Sequence, residues 1–539
     1  MGHHHQMTTS ETSAATKLNE ELHGGGLSAK GLSAGKVGVL GAAVIGVSCI
    51  APAYAVTSGL GPTIAEVGVY TPAIMLVGFI PMLLVVFGYR ELNTAMPDSG
   101  TSFTWATRAF GPWIGWMGGW GLIAATVLVL SNLAAVAVDF FFIMLAQIFQ
   151  NPALADLTRV LWINIPMTVI FTALAAWISY RGVESTKKVQ YVLVVVQLIA
   201  IVWFIIAAFV HVGNGTAFDA TPIELSWFNP FEVGSLAAIS AGVSLSIFLF
   251  WGWDTVITMN EEAKDPEKTP GRASMLTIFV MVAIYVLMTL AVLAYAGIGE
   301  EGLGAGNPDN QESILASLAE PIMGPFALLM TVAVMFSSAA SLQSTMVSPS
   351  RTLLAMGHYG ALPKSYASVS PRFKSPSVAT IASAVAAIAF YIVLRLLSEN
   401  ALWDTIAALG LMVCFYYGVT GLACVWYFRR SLFASTRNVF FRFLFPLLGG
   451  LALLYFFFET ARASLSPSFG SGSAIFATSY DADGVAQDGI GLVFVLGVGV
   501  LLLGVVLMVV QYFRSPGFFL GETIKTGADG DAEPAPALQ

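Results

Sequence analysis

The sequence contains little charge for its length. Only 10% of its 539 residues are Asp, Glu, Lys or Arg, and 56% are hydrophobic, whereas a soluble domain carries about 25% charged residues. A water-soluble fold would leave much of this apolar surface exposed, so we expect lipid to cover it. In lipid, only helices and closed barrels satisfy all their backbone polar groups. The apolar runs are about twenty residues long rather than ten-residue alternations, which predicts helices.

Cysteine, histidine and basic clusters are also scarce. The three cysteines are Cys49, Cys414 and Cys424. All lie in apolar runs, which argues against a disulfide framework. Residues 1–6 resemble a tag remnant, and the other histidines are His23, His211 and His358. They are too scattered to predict a metal site. The absence of a basic stripe with aromatics excludes nucleic-acid binding, and no nucleophile elbow or phosphate loop indicates an enzyme or a cofactor.

Hydropathy predicts an all-α membrane protein with about 12 transmembrane helices. The predicted spans are 37–66, 71–92, 112–147, 159–180, 188–211, 233–261, 273–297, 322–356, 376–397, 402–428, 441–461 and 489–513. The polar composition of residues 1–36 and 514–539 predicts a disordered tail at each end of the chain.

The distribution of lysine and arginine predicts the orientation of these spans. With both termini in the cytoplasm, nearly all basic loop residues fall on the cytoplasmic side, and only Arg159, Arg395 and Arg462 fall outside. This bias is typical of a multi-pass protein of the plasma (inner) membrane. The outer loops carry acids such as Glu300, either to attract cations or simply for solubility.

The first and sixth spans are both interrupted. Pro52 removes a backbone donor in the first span, and Gly252 follows an aromatic cluster in the sixth. Matched interruptions in two halves of a chain are typical of transporters that bind substrate at the membrane midplane. A pair of kinked structural helices is the alternative.

Two acids lie within predicted spans. An acid at the centre of a bilayer is costly and therefore a functional candidate. Asp254 follows the break of the sixth span, where it could bind an amine, carry a proton or cap the helix that restarts at Thr255. Asn132 and Asp139 share one face of the third span because seven residues make two turns. The role of Asp139 stays open.

Aromatic and hydroxyl side chains surround the predicted breaks. Tyr54, Phe248, Phe250 and Trp251 could gate a site or contact an ammonium group, or simply pack. In the eighth span, Ser337, Ser341 and Ser344 share one face. These serines could serve a site or close helix packing.

Four motifs together resemble those of the amino acid–polyamine–organocation (APC) superfamily. They are the proline break of the first span, MPDSGTSFTWATRAFGPWIGWMGGW (96–120), FWGWDTVITMNEEAKDPEKTPGRA (250–273) and SPSRTLLAMGHYGALPKSYASVSPRFKSPSVA (348–379). The resemblance implies a leucine-transporter-like 5+5 inverted repeat plus two extra helices. The repeats would occupy 37–211 and 233–428, and the extra helices 441–513.

The resemblance also implies roles for individual residues. The implied substrate-binding residues are Ile50, Ala51, Ala53, Tyr54, Asn132, Phe248, Phe250, Trp251, Gly252 and Asp254. The implied residues for coupling to H⁺ or Na⁺ are Asp254, Ser337, Ser338 and Ser341. Many amino-acid permeases have a glycine-rich carboxylate site where this chain has 49–54, and proton-coupled relatives have lysine where it has Gln197. Bacterial putrescine importers look similar at both places.

These features predict a secondary transporter that works by alternating access. Its substrates would be small amines or polyamines, or amino acids, with amines favoured because the carboxylate motif of the first span is altered. The alternative is a permease or exchanger of neutral or cationic amino acids. An ion channel or potassium importer is a remote alternative, because neither a selectivity filter nor several pore acids are present. The sequence does not predict the oligomeric state.

Overall fold

The computed structural model describes residues 27–311, 313–397, 401–481 and 485–531, which are mostly helical. The longer helices are α1 (Val39–Ile50), α2 (Pro52–Val67), α3 (Thr71–Ala95), α4 (Ser102–Phe110), α5 (Pro112–Phe149), α6 (Leu161–Tyr180), α7 (Val183–Gly213), α8 (Leu236–Leu249), α9 (Thr269–Ala296), α10 (Ile314–Met323), α11 (Ala327–Thr345), α12 (Val347–His358), α13 (Ser377–Leu397), α14 (Ala401–Tyr427), α15 (Phe445–Ala463) and α16 (Val500–Arg514). Two short strands, β1 (Ala474–Ile475) and β2 (Ile490–Gly491), pair antiparallel.

Ten helical segments of the described chain are long and apolar enough to cross a membrane. The first of them, Val39–Ala95, contains the first two predicted spans. The sixth predicted span contains α8, which is apolar but shorter because it ends at Leu249. The first difference arises because a 3-10 turn at Gly68–Tyr70 joins α2 directly to α3, and the second arises at the interruption after Leu249. Every one of the twelve predicted spans contains helix.

Proline and glycine set the limits of several helices. α5 begins at Pro112, where the missing N–H is not needed, after Gly111 at φ 99°. α9 carries Pro270 in its first turn and ends before Gly297 at φ 61°. The loops therefore begin where the local sequence stops favouring helix.

The helices pack around the two interruptions. α2 contacts α8, α1 contacts α9, and α11 lies against both α5 and α7. A single large buried core includes Ile50 and Ala51 from the first span and Phe248 and Trp251 from the sixth. The interruptions are thus deep inside the protein rather than at its surface.

The predicted disorder of the N-terminal tail is wrong for residues 27–36. Leu32 is fully buried, and the backbone N–H of Lys36 donates to the carbonyl of Glu262 at 2.8 Å. Val37 forms a parallel bridge with Ala263. We call residues 27–37 the N-terminal segment. It is ordered because it adds backbone hydrogen bonds to the loop after Thr255–Thr258. Residues 1–26 lie outside the described residues.

The predicted disorder of the C-terminal tail is wrong for residues 515–531. Phe518 and Phe519 are buried, and Asp529 forms an ion pair with Arg442 at 3.4 Å. Apolar side chains and charge pairs therefore hold this segment on the same end of the bundle as the N-terminal segment, which we call the tail face. Residues 532–539 lie outside the described residues.

A buried ion-pair cluster fixes the N-terminal segment to the tail face. Lys30 Nζ lies 2.8 Å from Asp98 Oδ2 and also pairs with Glu261. Tyr359 donates to Asp98 Oδ2 at 2.6 Å. Burial disfavours the charged form of Lys30, but the two carboxylates outweigh it and raise the pKa of Lys30. Although burial opposes ionisation of Asp98 as well, the Lys30 ammonium holds the pKa of that carboxyl below its usual range.

Candidate functional site

The first span breaks at Ala51. α1 ends at Ile50 and α2 begins at Pro52, and Ala51 between them has the left-handed angles φ 58° and ψ 72°. This conformation costs a non-glycine residue about 1–2 kcal/mol, so the surrounding contacts must hold it.

Serine hydroxyls of α11 satisfy the backbone groups that this break exposes. Ser341 Oγ donates to the carbonyl of Cys49 at 2.6 Å, and the N–H of Tyr54 donates to Ser337 Oγ at 3.2 Å. Ser338 instead donates to Val334 of its own helix at 2.9 Å. Of the three serines implied in ion coupling, the structure therefore brings Ser337 and Ser341 to the break, but not Ser338.

The sixth span breaks directly against the first. α8 ends at Leu249, residues 250–254 form turns, and helix resumes at Thr255–Thr258. Gly252 has φ 114°, and a Cβ at this position would lie 3.2 Å from Cys49 Sγ and 3.3 Å from the backbone nitrogen of Ile50. Only glycine fits here without displacing a neighbour, so the structure places the two breaks in contact.

Tyr54 links the breaks to Asn132 of α5. Its hydroxyl donates to Asn132 Oδ1 at 2.6 Å, and Asn132 Nδ2 donates to Thr405 Oγ1 at 3.1 Å. The Tyr54 ring also meets Phe248 edge to face, with centroids 6.1 Å apart. These three predicted residues therefore form one group. Phe250 points elsewhere, because its ring lies 5.3 Å from both Phe79 and Tyr285.

A chain of aromatic side chains holds Asp254. Trp251 Nε1 donates to the hydroxyl of Tyr416 at 2.5 Å, and Tyr416 donates to Asp254 Oδ2 at 3.0 Å. The side chain of Asp254 makes no capping hydrogen bond to the helix that restarts at Thr255. The backbone N–H of Thr255 and the hydroxyl of Tyr417 nevertheless interact with the carboxylate, so the capping alternative stays a prediction. Among the described residues, the buried Oδ1 of Asp254 has no hydrogen-bond partner.

Several polar residues near the breaks were not predicted. The hydroxyl of Ser48 donates a hydrogen bond to the side-chain oxygen of Gln190 on α7, and the side-chain nitrogen of Gln190 donates to the carbonyl of Ala340 at 2.9 Å. The thiol of Cys49 lies 3.1 Å from both Thr255 Oγ1 and Thr345 Oγ1. The spacing of Gln190 and Gln197 by seven residues is a signal that could have revealed this polar face of α7.

Two other residues from the sequence analysis lie apart from this group. The amide of Gln197 is buried, and neither of its atoms has a partner within the described residues. Asp139 is half-buried and interacts electrostatically with Tyr391 of α13. Nothing in these contacts connects Asp139 to the helix breaks.

A cavity of about 670 Å³ opens at the end of the bundle opposite the tail face. We call it the vestibule. Its lining includes Glu66 near the end of α2, Ser244 of α8, Ala407 of α14 and residues 466 and 468–471 of the loop before β1. Ser244 is four residues, about one helical turn, from Phe248. The vestibule therefore ends close to the Tyr54–Phe248 contact above the breaks.

Two facing helix breaks in an apolar bundle are the arrangement of leucine-transporter-like proteins. The chain matches the crystal structure of MhsT in complex with L-phenylalanine with a TM-score of 0.57 and 16% identity. The match covers 79% of this chain and 99% of that one. At this identity the likeness concerns the fold alone, and it confirms the predicted leucine-transporter-like, all-α architecture. The predicted boundaries of the two repeats stay a prediction.

The family model for "Amino acid permease" matches residues 37–480, so the chain belongs to that family. This match confirms the predicted APC superfamily. The chain is 25% identical over 312 residues to the branched-chain amino acid permease BcaP of Lactococcus lactis subsp. cremoris. This alignment covers 56% of this chain and 63% of BcaP. It is 24% identical over 334 residues to the human large neutral amino acids transporter small subunit 2, covering 62% of this chain and 58% of that protein.

Both alignments span less than two thirds of the relatives' length. The family and these relatives are permeases or transporters rather than enzymes, as predicted. Together with the apolar helices, the match shows a multi-pass membrane protein.

Proposed function

We propose that this protein is a secondary transporter of amino acids, that it works by alternating access, and that it binds its substrate at the paired helix breaks. The observation that carries this proposal is the direct contact of Gly252 with the backbone around Cys49 and Ile50. Interrupted helices meeting at mid-depth provide polar backbone groups in a region where lipid provides none.

The polarity of the two half-helices fits a zwitterion. α2 begins at Pro52, so the N–H of Ala53 has no acceptor within its helix, and this helix end carries a partial positive charge. α8 ends at Leu249, so its last carbonyls carry a partial negative charge. A carboxylate would bind at Ala53 and an ammonium group at the end of α8. This arrangement compensates for the missing glycine-rich motif of the first span.

Access from the vestibule would be controlled at the aromatic contact. Tyr54 and Phe248 lie between the vestibule and the breaks, and Asn132 holds the Tyr54 hydroxyl. Separation of the two rings would admit substrate, while the buried cluster around Lys30 keeps the opposite end closed. We therefore propose that the structure represents a state in which the vestibule is open while the Tyr54–Phe248 contact still covers the breaks.

An amine substrate is the second candidate, and a separate observation favours it. Asp254 forms no ion pair with a basic side chain in the described part of the chain, and its Oδ1 is buried without a partner. In this second candidate, Asp254 would receive an ammonium group or a coupling proton, and Ser337 and Ser341 would bind Na⁺. Because Asp254 is bound by Tyr416 rather than by the start of α2, we prefer a zwitterion at the breaks.

The orientation in the membrane is part of the proposal. The tail face, with the basic loops, would lie in the cytoplasm and the vestibule would open outside the plasma membrane. Leucine and putrescine uptake into proteoliposomes tests the substrate class. We expect leucine uptake, with putrescine neither transported nor competing. Saturable putrescine uptake without leucine uptake would favour the second candidate instead.

An Asp254→Asn variant tests the role of the buried acid. Asparagine keeps an oxygen for the Tyr416 hydroxyl but removes the charge, so we expect uptake to fall at least about ten-fold and to lose its pH dependence. The control is Asp265→Asn, a half-exposed acid on the tail face. Uptake with unchanged rate and pH dependence in Asp254→Asn would remove Asp254 from the mechanism and leave the breaks as the site.

A further inference from the structure

A group of basic side chains lies on the tail face where α6, α7 and α13 meet. We call it the basic patch; it comprises Arg181, Lys187, Lys188, Arg372 and Lys374. Two contacts join the turn after α6 to the loop before α13. The hydroxyl of Ser375 donates to the carbonyl of Tyr180, and the rings of Tyr180 and Phe373 lie 5.7 Å apart. Residues that are distant in the chain therefore form one surface.

The basic patch has almost no compensating negative charge. Glu184 is the one acid in residues 180–188 and 370–376, and Lys36 already pairs with it at 3.6 Å. None of the patch residues forms an ion pair with the described part of the chain. Other cations of the tail face do have partners, as Lys30 has in Asp98. Neighbouring like charges repel one another, so an anion bound here would be stabilised.

The basic patch borders an apolar surface that faces outward. α6 and α7 are long and apolar enough to span a membrane, and much of each is unburied. Trp177 is 55% exposed, and the guanidinium of Arg181, one turn later, lies 5.0 Å from the centre of its ring. Tyr191 and Val192, three and four residues after Lys188, are exposed on the same face of α7. Tryptophan and tyrosine concentrate at the level of lipid headgroups, which places the patch at that depth.

We propose that the basic patch binds the headgroup of an anionic phospholipid, whose acyl chains lie on the outward faces of α6 and α7. Arg181, Lys188 and Arg372 are exposed and would donate to the phosphate, and an arginine fork can do so through two parallel N–H bonds. A zwitterionic headgroup brings an ammonium group of its own, which the five cations repel. The patch therefore selects anionic over zwitterionic lipid.

The bound headgroup would also lie beside the N-terminal segment. Lys187 Nζ donates to the carbonyl of Lys36 at 3.4 Å, and the stem of Lys187 passes close to Gly41 of α1. One lipid would thus connect the turn after α6, the loop before α13 and the end of the N-terminal segment. A ligand that binds only the folded protein stabilises it, so anionic lipid should raise the melting temperature.

Native mass spectrometry of the full-length protein tests this preference. Protein in a nonionic detergent would be mixed with equal amounts of dioleoyl phosphatidylglycerol and dioleoyl phosphatidylcholine, and we expect it to retain phosphatidylglycerol preferentially. Each basic residue near an anionic lipid strengthens binding about five-fold. The triple variant Arg181→Gln, Lys188→Gln, Arg372→Gln should therefore bind phosphatidylglycerol at least about ten-fold more weakly. Equal retention of both lipids by the unmodified protein would overturn the proposal.

The matched control is the triple variant Arg272→Gln, Lys364→Gln, Lys525→Gln. It removes three exposed cations from the tail face outside the basic patch, and it should bind phosphatidylglycerol as the unmodified protein does. Equal weakening in both triple variants would show a dependence on net charge alone and would overturn the site.

A soluble headgroup distinguishes a lipid ligand from a free phosphate. Phosphatidylglycerol should raise the melting temperature of the purified protein by a few degrees, and the patch variant should lose this rise. Glycerol 1-phosphate at the same concentration should have no effect, because it has no chains to cover Trp177 and Val192. An equal rise with glycerol 1-phosphate, or a rise that persists in the patch variant, would overturn the proposal. None of these measurements requires transport.

Discussion

Gly252 occupies the point at which the two interrupted spans touch. Its φ of 114° lies in a region that L-residues avoid, and the space beside it is filled by Cys49 and Ile50. The same small residue therefore provides both the turn of the sixth span and the close approach of the first. Ala51 adopts φ 58° on the other side of the contact, although it has a side chain. The contact is therefore held by packing around both residues.

We predict that Gly252→Ala impairs transport much more than it impairs folding. The added methyl group forces a positive φ on alanine, at about 1–2 kcal/mol, and separates the breaks. Leucine uptake in proteoliposomes should fall at least about ten-fold, while the melting temperature falls by only a few degrees. The control is Gly299→Ala, because a Cβ at Gly299 meets nothing within 4 Å. Equal uptake by the two variants would contradict the prediction.

Single residues also show where the sequence was sufficient and where it was not. Pro52 and Gly252 indicated the breaks because they fall at matching places in the first and sixth spans. Proline alone was not sufficient, since Pro62 and Pro81 lie inside continuous helices. The direction of a side chain is different, since Phe250 and Trp251 are neighbours yet contact different helices. Tyr416, the partner of Asp254, is 162 residues away along the chain, and no local sequence pattern predicts that these two side chains meet.

At the scale of elements, the N-terminal segment acts as a seal on the tail face. Lys30 reaches Asp98 in the loop before α4 and Glu261 after Thr255–Thr258, so one side chain joins three parts of the chain. Arg351 and Glu262 form a second ion pair in the same region, 2.7 Å apart, and both side chains are only 1% exposed. Opening this end requires all of these buried charges to separate or to become hydrated.

We predict that Lys30→Met favours opening of the tail face. Removing one partner of a buried ion pair typically costs about 3–5 kcal/mol because the remaining charge has no counterion. Water should enter to hydrate Asp98 and Glu261. The thiol of Cys49 is buried in α1 and should then react with N-ethylmaleimide at least about ten times faster, as measured by mass spectrometry.

A neighbouring lysine provides the control for this experiment. Lys36 pairs with Glu184 at 3.6 Å, and both side chains are exposed, so Lys36→Met removes an ion pair of little energetic value. It should leave the reactivity of Cys49 unchanged.

The direction in which pH changes the stability of the seal follows from the two pKa shifts. The lowered pKa of Asp98 stabilises the seal above the ordinary value of 3.8, and the raised pKa of Lys30 stabilises it below 10.5. The Lys30–Asp98 ion pair should therefore weaken only at the two extremes of pH.

Elements differ in how far their sequence predicts them. α5, α7 and α9 follow from long apolar runs with proline or glycine at their limits. The N-terminal segment has a polar, glycine-containing sequence typical of a disordered tail, yet it is ordered by partners 68 and 231 residues away. The C-terminal segment is similar. Phe518 packs on Phe103 of α4, and Phe519 packs on Trp113 of α5 and Tyr512 of α16.

The whole molecule is closed at one end and open at the other. The vestibule admits solvent near Glu66, whereas ion pairs and two chain segments cover the tail face. In the proposed mechanism, separation of Tyr54 and Phe248 would expose the site to the vestibule side only, and exchange of the two closures would move substrate across the membrane. Hydropathy predicted twelve spans, each of which contains helix, but it did not predict this asymmetry, since a closed end and an open end can have the same composition.

We predict that the vestibule face is extracellular and the tail face cytoplasmic. Glu300→Cys lies in the loop beside the vestibule and Lys364→Cys on the tail face, and both positions are exposed. In intact cells, a membrane-impermeant maleimide should label only Glu300→Cys, because basic loops stay on the cytoplasmic side. Permeabilised cells serve as the control and should label both. Labelling of Lys364→Cys in intact cells would reverse the orientation.

The position of Lys30 has a practical consequence for preparing the protein. Polar N-terminal residues are commonly trimmed before crystallisation, and the composition of residues 1–36 invites a cut at their end. That cut would remove the cation from Asp98 and Glu261, and it would raise the pKa of the Asp98 carboxyl towards or above its ordinary value. A cut after residue 26 would keep Lys30 and Leu32. Two truncations only ten residues apart should therefore crystallise in different states of the transport cycle.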